Sequence, residues 1–160
     1  MEISSLESPL GKLDLVVQNS YVTRISYDAK GLHETGSRKE KRVMNQLKEE
    51  LTAYFSGELQ QFQIDFQISG TPFEQSVYQA LLTIPYGEFW SYKEVARAIQ
   101  NESSVRAVGQ ANRKNPLSIL VPCHRVVQEN GKLGGYNGAD FQTKVALLEL
   151  EMNHKNDFWT

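Results

Sequence analysis

The sequence predicts an α+β protein in two parts: a small α/β unit up to about residue 70, then a mostly helical remainder carrying a helix-turn-helix. Three observations predict it. Short apolar runs and one strict apolar–polar alternation, over 62–68, place strands in the first part. Ser69-Gly70 then breaks the chain. Beyond it, two capping boxes open short helices with apolar stripes. The 160 residues, 40% of them hydrophobic, suffice for one ordinary domain or two small ones, with a core that needs no disulfide or metal.

The elements follow in order. Pro9-Leu10-Gly11 is a turn signal before a strand over Leu13–Val17. Asn19-Ser20 offers a tight turn into a second strand over Val22–Tyr27. Residues 28–40 are polar and read as a loop. Val43, Leu47, Leu51 and Tyr54 keep helical spacing over about Glu40–Phe55, with Gly57 as the stop. Phe62, Ile64, Phe66 and Ile68 alternate with polar residues and predict a half-buried strand. Thr71-Pro72-Phe73-Glu74 is a capping box with proline at the first helical position, and Phe73, Val77, Ala80, Leu81 and Ile84 form its stripe. Ser91-Tyr92-Lys93-Glu94 repeats the box before Val95, Ala96 and Ile99. A third helix over about Ser104–Asn112 completes a helix-turn-helix. Ile119–Val121 reads as a short buried strand, Asn130-Gly131 as a hairpin turn after Val126-Val127, and 134–138 as a glycine-rich loop. A last helix carries Phe141, Val145 and Leu148 towards Glu151, and Phe158 and Trp159 are available to dock from the tail.

The net charge of −2 argues against nucleic acid until its distribution is considered. Between 103 and 132, Arg106, Arg113, Lys114, Arg125 and Lys132 face a single acid, Glu129. A basic stripe on an acidic body is the footprint of a compact DNA-reading face, although an ordinary solvated loop has the same composition. The start, Met1–Ser5, shows no basic region followed by an apolar run, and no stretch is long enough to span a bilayer. One cysteine suits a reducing compartment, so the chain reads as intracellular.

That cysteine, Cys123, follows a proline and precedes His124 and Arg125. Basic neighbours lower a thiol's pKa and raise its reactive thiolate fraction, whereas an isolated buried cysteine is a small hydrophobe. One cysteine and three scattered histidines show no metal-ligand spacing, so no metal is expected.

Pro122-Cys123-His124-Arg125-Val126-Val127, preceded by Arg106-Ala107-Val108-Gly109 and Asn115-Pro116, resembles the methylated-DNA–protein-cysteine methyltransferases, the O6-alkylguanine-DNA alkyltransferases. The resemblance runs from about Thr71 to Glu151, and the first 70 residues match loosely, chiefly at Ser8–Gly11. It implies a ribonuclease-H-like N-terminal domain over 1–70 and, over 71–160, a winged-helix-like domain that binds DNA and holds the active cysteine. It further implies that Cys123 accepts an alkyl group from guanine O6, that His124 takes the thiol proton through a water, and that Glu151 orients His124. Asn115 matches an asparagine bracing the active-site turn. Tyr92 matches the tyrosine that bonds guanine N3, and Arg106 the arginine that fills the stack vacated by the flipped base. Val126, Tyr136, Asn137 and Gly138 match the pocket that reads the base, with Asn137 departing from the human-type serine. Arg113 and Arg125 are expected to contact DNA. The implied partner is double-stranded DNA containing O6-alkylguanine, with O4-alkylthymine left open, approached by the helix-turn-helix from the minor groove. The resemblance implies no cofactor, and a cytoplasmic, prokaryotic-type monomer with no membrane association is expected. Two other readings are a DNA-binding lesion sensor without chemistry and an unrelated thiol hydrolase.

Overall fold

The computed structural model describes residues 1–27, 30–129 and 141–157, which fall into two compact units, 1–69 and 70–160. In the first unit, β1 (Glu2–Ser8), β2 (Gly11–Gln18) and β3 (Tyr21–Ser26) form an antiparallel meander in the order β1-β2-β3. Alternation along β2 turns Leu13, Leu15 and Val17 inward, where they are fully buried. The β2–β3 turn has positive φ at both Asn19 and Ser20, the handedness that matches the twist of a hairpin. Helix α1 (Arg38–Phe55) packs on all three strands through Met44, Leu47, Leu51 and Tyr54.

Helix α1 starts earlier than the sequence reading placed it, because Ser37 and Glu40 form a capping box. Glu40 also accepts from the Asn19 N–H (3.0 Å) and the Met1 ammonium (3.1 Å). The Ser37 N–H foremost, and the ammonium after it, hold this carboxyl down at about 2. The predicted 28–40 loop is therefore structured at its end, and Glu34 bridges Ile3 of a strand the sequence did not announce. The serines of β1 blur its alternation.

The predicted strand at 62–68 is a correction. Its side chains alternate in burial as expected, with Ile64 innermost, but the backbone makes one isolated bridge, Phe66 to Val22. Alternation reports which side of an extended segment is covered. It does not report whether a hydrogen-bonding edge runs alongside.

In the second unit, α2 (Pro72–Leu81) and α3 (Tyr92–Ala98) open on the two predicted capping boxes, Thr71/Glu74 and Ser91/Glu94. A 3₁₀ turn (Glu102–Ser104) leads from α3 into α4 (Val105–Arg113), which packs on α3 as the second arm of the helix-turn-helix. Tyr78 of α2 ties itself to α4 by donating its hydroxyl to the Ala111 carbonyl at 3.0 Å. Two short strands, β4 (Trp90–Ser91) and β5 (Val126–Val127), pair in parallel. Helix α5 (Phe141–His154) closes the described chain. The α+β class expected from the sequence is the class observed. None of the helices among the described residues is long and apolar enough to cross a membrane.

Two further expectations need correction. Ile119–Val121 forms no strand: the segment is a turn with an isolated Ser118–Val121 bridge, and Ile119 sits at φ 77°. A β-branched residue in that region is strained, and here it is held by complete burial of its neighbours Leu117 and Val121. The stripe of α5 is also displaced. Phe141 is 58% exposed, while Lys144, Leu147, Leu148 and Glu151 form the buried face. The hairpin at Asn130-Gly131, the glycine-rich loop and the tail aromatics lie outside the described residues.

Candidate active site

The chain approaches Cys123 through a braced turn. Asn115 accepts the Leu117 N–H at Oδ1 (2.9 Å) and donates Nδ2 to the Val121 carbonyl (2.8 Å), clamping both ends of the strained segment. Pro122 then leads into a 3₁₀ turn over Cys123–Arg125, closed by the Arg125 N–H on the Pro122 carbonyl at 3.0 Å. No side chain caps this turn at its N-terminus. Support comes instead from α4, where Asn112, fully buried, donates Nδ2 to the Cys123 carbonyl at 3.2 Å. Cys123 itself is fully buried.

The residues after Cys123 join a charged cluster that is almost wholly buried. Glu151 Oε2 is 2.6 Å from His124 Nε2, and both side chains are completely buried. Arg125 forks onto the same carboxylate, Nε to Oε1 at 2.7 Å and Nη2 to Oε2 at 3.0 Å. Gly87 N–H adds a bond to Oε1 at 3.1 Å, and Arg125 Nη1 donates to the Ile84 carbonyl at 2.7 Å. Burial by itself raises the Glu151 pKa, but His124 and Arg125 outweigh it, and the carboxyl stays well below its ordinary range. His124 moves down from its usual value because burial disfavours the imidazolium more than Glu151 favours it. The residue is thus a neutral imidazole whose Nε2–H donates to an ionised carboxylate. That assignment leaves Nδ1 as the acceptor, and Nδ1 is buried with no hydrogen-bond partner among the described residues.

Tyr92, the first residue of α3, is half-buried beside the Asn112 side chain. Its phenol pKa is raised, first by burial and then by the Cys123 sulfur. The Lys144 ammonium lies over its ring, 5.6 Å from the centroid. Lys144 is fully buried and its pKa falls to about 8, chiefly through burial, while Cys123 pulls it back up. A groove of about 520 Å³ opens next to Tyr92, lined by Lys93, Val105, Gln128 and Glu129 as well.

Helix α4 is two-sided. Val108, Ala111 and Asn112 face the core, whereas Arg106, Gln110 and Arg113 line an exposed face at i, i+4 and i+7. Ala111 packs inside, 2% exposed.

Residues 72–153 match the family model of the 6-O-methylguanine DNA methyltransferase, DNA binding domain. The constitutive methylated-DNA–protein-cysteine methyltransferase of Bacillus subtilis is 40% identical over 154 residues, covering 92% of this chain and 93% of the relative. The chain belongs to the methylated-DNA–protein-cysteine methyltransferase family. A second member, from Mycobacterium tuberculosis, is 43% identical over 152 residues, covering 92% of this chain and 90% of its own. The crystal structure of Mycobacterium tuberculosis OGT in complex with DNA superposes with a TM-score of 0.84 at 41% identity, over 96% of this chain and 94% of that one. The family membership thus extends through the first 70 residues, where the sequence motifs alone were loose.

Of the site residues named from the sequence, Cys123, His124, Glu151, Asn115, Tyr92 and Val126 come together in this methyltransferase-family unit. Val126 is buried with its backbone paired to Trp90. Arg106 and Arg113 lie on the exposed face of α4. Arg125, expected to contact DNA, is 8% exposed, and three of its five N–H donors go to Glu151 and the Ile84 carbonyl, so it faces the buried cluster. Tyr136, Asn137 and Gly138 lie outside the described residues. The sequence reading passed over Lys144 and Asn112. The only signal available was position: each sits on the inward face of its helix, where a lysine or asparagine has no reason to be unless it is bonded.

Proposed function

We propose that this protein repairs DNA by direct reversal, transferring a methyl or larger alkyl group from O6-alkylguanine to Cys123 in a single, irreversible turnover. The Cys123 thiolate attacks the alkyl carbon in line with the C–O6 bond. The S–C bond forms, the C–O6 bond breaks, and its electron pair leaves with the restored guanine. The thiol proton passes through a water to His124 Nδ1, while Glu151 holds Nε2–H and stabilises the imidazolium that results. Tyr92 donates its phenol towards N3 as negative charge develops on the leaving base.

The target atom lies inside the duplex, so the nucleotide must be flipped out at a cost of about a few kcal/mol. The exposed face of α4 is the element that meets DNA, from the minor groove, with Arg106 filling the vacated stack and Arg113 on the backbone. Arg125 acts on Glu151 rather than on DNA. The resulting thioether is beyond simple reductants, so each molecule acts once, without a cofactor and as a cytoplasmic monomer.

The observation that carries this reading is the buried Glu151–His124 pair, 2.6 Å apart, with the free imidazole lone pair on the residue next to the thiol. A solvated loop or a plain packing cysteine has no use for four converging hydrogen bonds on one buried carboxylate. Incubation with an oligonucleotide containing O6-methylguanine, followed by intact mass measurement, tests it. A gain of one methyl mapped to Cys123, abolished in Cys123→Ala with DNA binding retained, is expected. DNA binding without an adduct would instead mean a lesion sensor, and multiple turnover of an ester a hydrolase.

A further inference from the structure

The alkyl-transfer scheme uses one unpartnered buried atom, Nδ1 of His124, and leaves another unused. Asn112 of α4 is fully buried, and its Oδ1 has no hydrogen-bond partner among the described residues. Its Nδ2 donates to the Cys123 carbonyl at 3.2 Å. That bond explains the amide nitrogen and leaves the oxygen unexplained. Exchanging the two atoms would set oxygen against oxygen, so the bond itself fixes which way the amide points. A buried acceptor without a donor is costly, and protein interiors hold few of them.

The surroundings of this oxygen suit a base. Asn112 is tied to the turn that bears the thiol, and the same side chain stands beside Tyr92. The Tyr92 ring packs over Gly109, one turn earlier on α4, where a Cβ would lie 3.9 Å from its Cδ1 and Cε1. The geometry points to Asn112 as a specificity-determining residue whose Oδ1 accepts from the exocyclic 2-amino group of the flipped O6-alkylguanine. Chemistry narrows the ligand to that group. An O6-alkylated guanine has no proton on N1, and its N3 and N7 are acceptors, so the 2-amino group is its one N–H donor. N3 and the 2-amino group are neighbours on one edge of the base. A phenol donating to N3 and an amide oxygen beside it reproduce the complement of that edge. O4-alkylthymine carries no N–H donor at all, so it leaves Oδ1 unpaired and is disfavoured by the same atom.

This inference rests on the alkyl-transfer reading and adds the base edge to it; the experiment separates the two. Single-turnover methyl transfer is measured on two duplexes that differ in one group, carrying O6-methylguanine or O6-methylhypoxanthine, which lacks the 2-amino group. The wild type is compared with Asn112→Leu and Asn112→Met, which have no acceptor, and with Asn112→Asp, which keeps an acceptor oxygen and loses the amide. The wild-type rate should fall about tenfold or more without the amino group, because Oδ1 is then left unpaired. That preference should shrink about fivefold or more in Asn112→Leu and Asn112→Met. Loss of the bond to the Cys123 carbonyl slows both substrates alike, so damage to the turn leaves their ratio unmoved. An effect of the amino group on base flipping is common to all the proteins and cancels between them. Asn112→Asp should slow both substrates yet keep the wild-type preference. Thermal melts identify the folded variants. An unchanged preference in a folded apolar variant would overturn the inference while leaving repair intact. Equal wild-type rates on the two bases would overturn it too, and that measurement needs no variant. A wild type that takes no methyl group from O6-methylguanine would instead overturn the repair reading itself.

Discussion

Glu151 Oε2 and His124 Nε2 approach to 2.6 Å with neither side chain in contact with solvent, and this contact leaves Nδ1 as the imidazole nitrogen that can accept a proton. The carboxylate is kept ionised by Arg125 and the Gly87 N–H as well as by His124, so it has no proton of its own to give. In the proposed scheme the pair is a scaffold for a proton acceptor, not a second acid.

Removing the charge at the centre of the cluster has the largest predicted cost. Glu151→Gln leaves Arg125 buried without its counter-charge and His124 without its orienting acceptor. A loss of about 3–5 kcal/mol is expected, the range for breaking one side of a buried pair. Urea unfolding monitored by tryptophan fluorescence measures it, and a loss under 1 kcal/mol would contradict the picture of a tightly coupled core.

Stability should fall steadily on acidification from about pH 6.5. The unfolded imidazole protonates near its ordinary value of 6.5, whereas folded His124 titrates lower, so the unfolded state binds the extra proton first. Glu151 adds to this: its folded pKa lies below the ordinary 4.5, so its contribution is present above that value and lost as pH falls below it through the folded pKa. Denaturant midpoints taken every half pH unit should show both slopes, and Glu151→Gln should lack the lower one.

Two arginines close in the sequence motif should behave as opposites. Arg106→Ala removes an exposed side chain, so melting temperature should hold while DNA binding and methyl transfer weaken and the salt slope of binding shallows by up to about one. Arg125→Met should destabilise the fold, yet any protein that remains folded should bind undamaged DNA with wild-type affinity. Fluorescence anisotropy with a labelled duplex, alongside thermal melts, distinguishes these patterns; weakened DNA binding in folded Arg125→Met would return that arginine to the interface.

Asn115→Ala strips both clamps from the turn containing Ile119. Each buried partner left unsatisfied costs about 1–3 kcal/mol. The Leu117 N–H and Val121 carbonyl are such partners, so a global loss of roughly 2 kcal/mol or more is expected. Hydrogen exchange should show faster protection loss at 117–123 than elsewhere; uniform loss across the unit would mean that Asn115 does not act locally.

Much of the architecture was legible because its signals are local. Thr71/Glu74 and Ser91/Glu94 form their reciprocal caps from residues three apart, so the sequence placed those two helix starts correctly. The Asn19-Ser20 turn was readable for the same reason. The strand at 62–68 failed because a ladder needs a partner edge that one segment cannot specify, and α5 was misphased because half of its buried face is charged. A hydrophobic stripe cannot be followed through a buried lysine and a buried glutamate.

The run Pro122–Val127 with Arg106 and Tyr92 was enough by itself to point to the family and, through that resemblance, to name Cys123 as the candidate thiol, since those identities are written in residue type and order. Only the tertiary structure decided what surrounds the thiol. It turned Arg125 inward onto Glu151 and selected Nδ1 of His124 as the open nitrogen. It also set Lys144 over Tyr92, a residue the motif does not contain. The physical reason is burial: a charge's role depends on whether water or another charge faces it, and that is settled by residues tens of positions away in the chain.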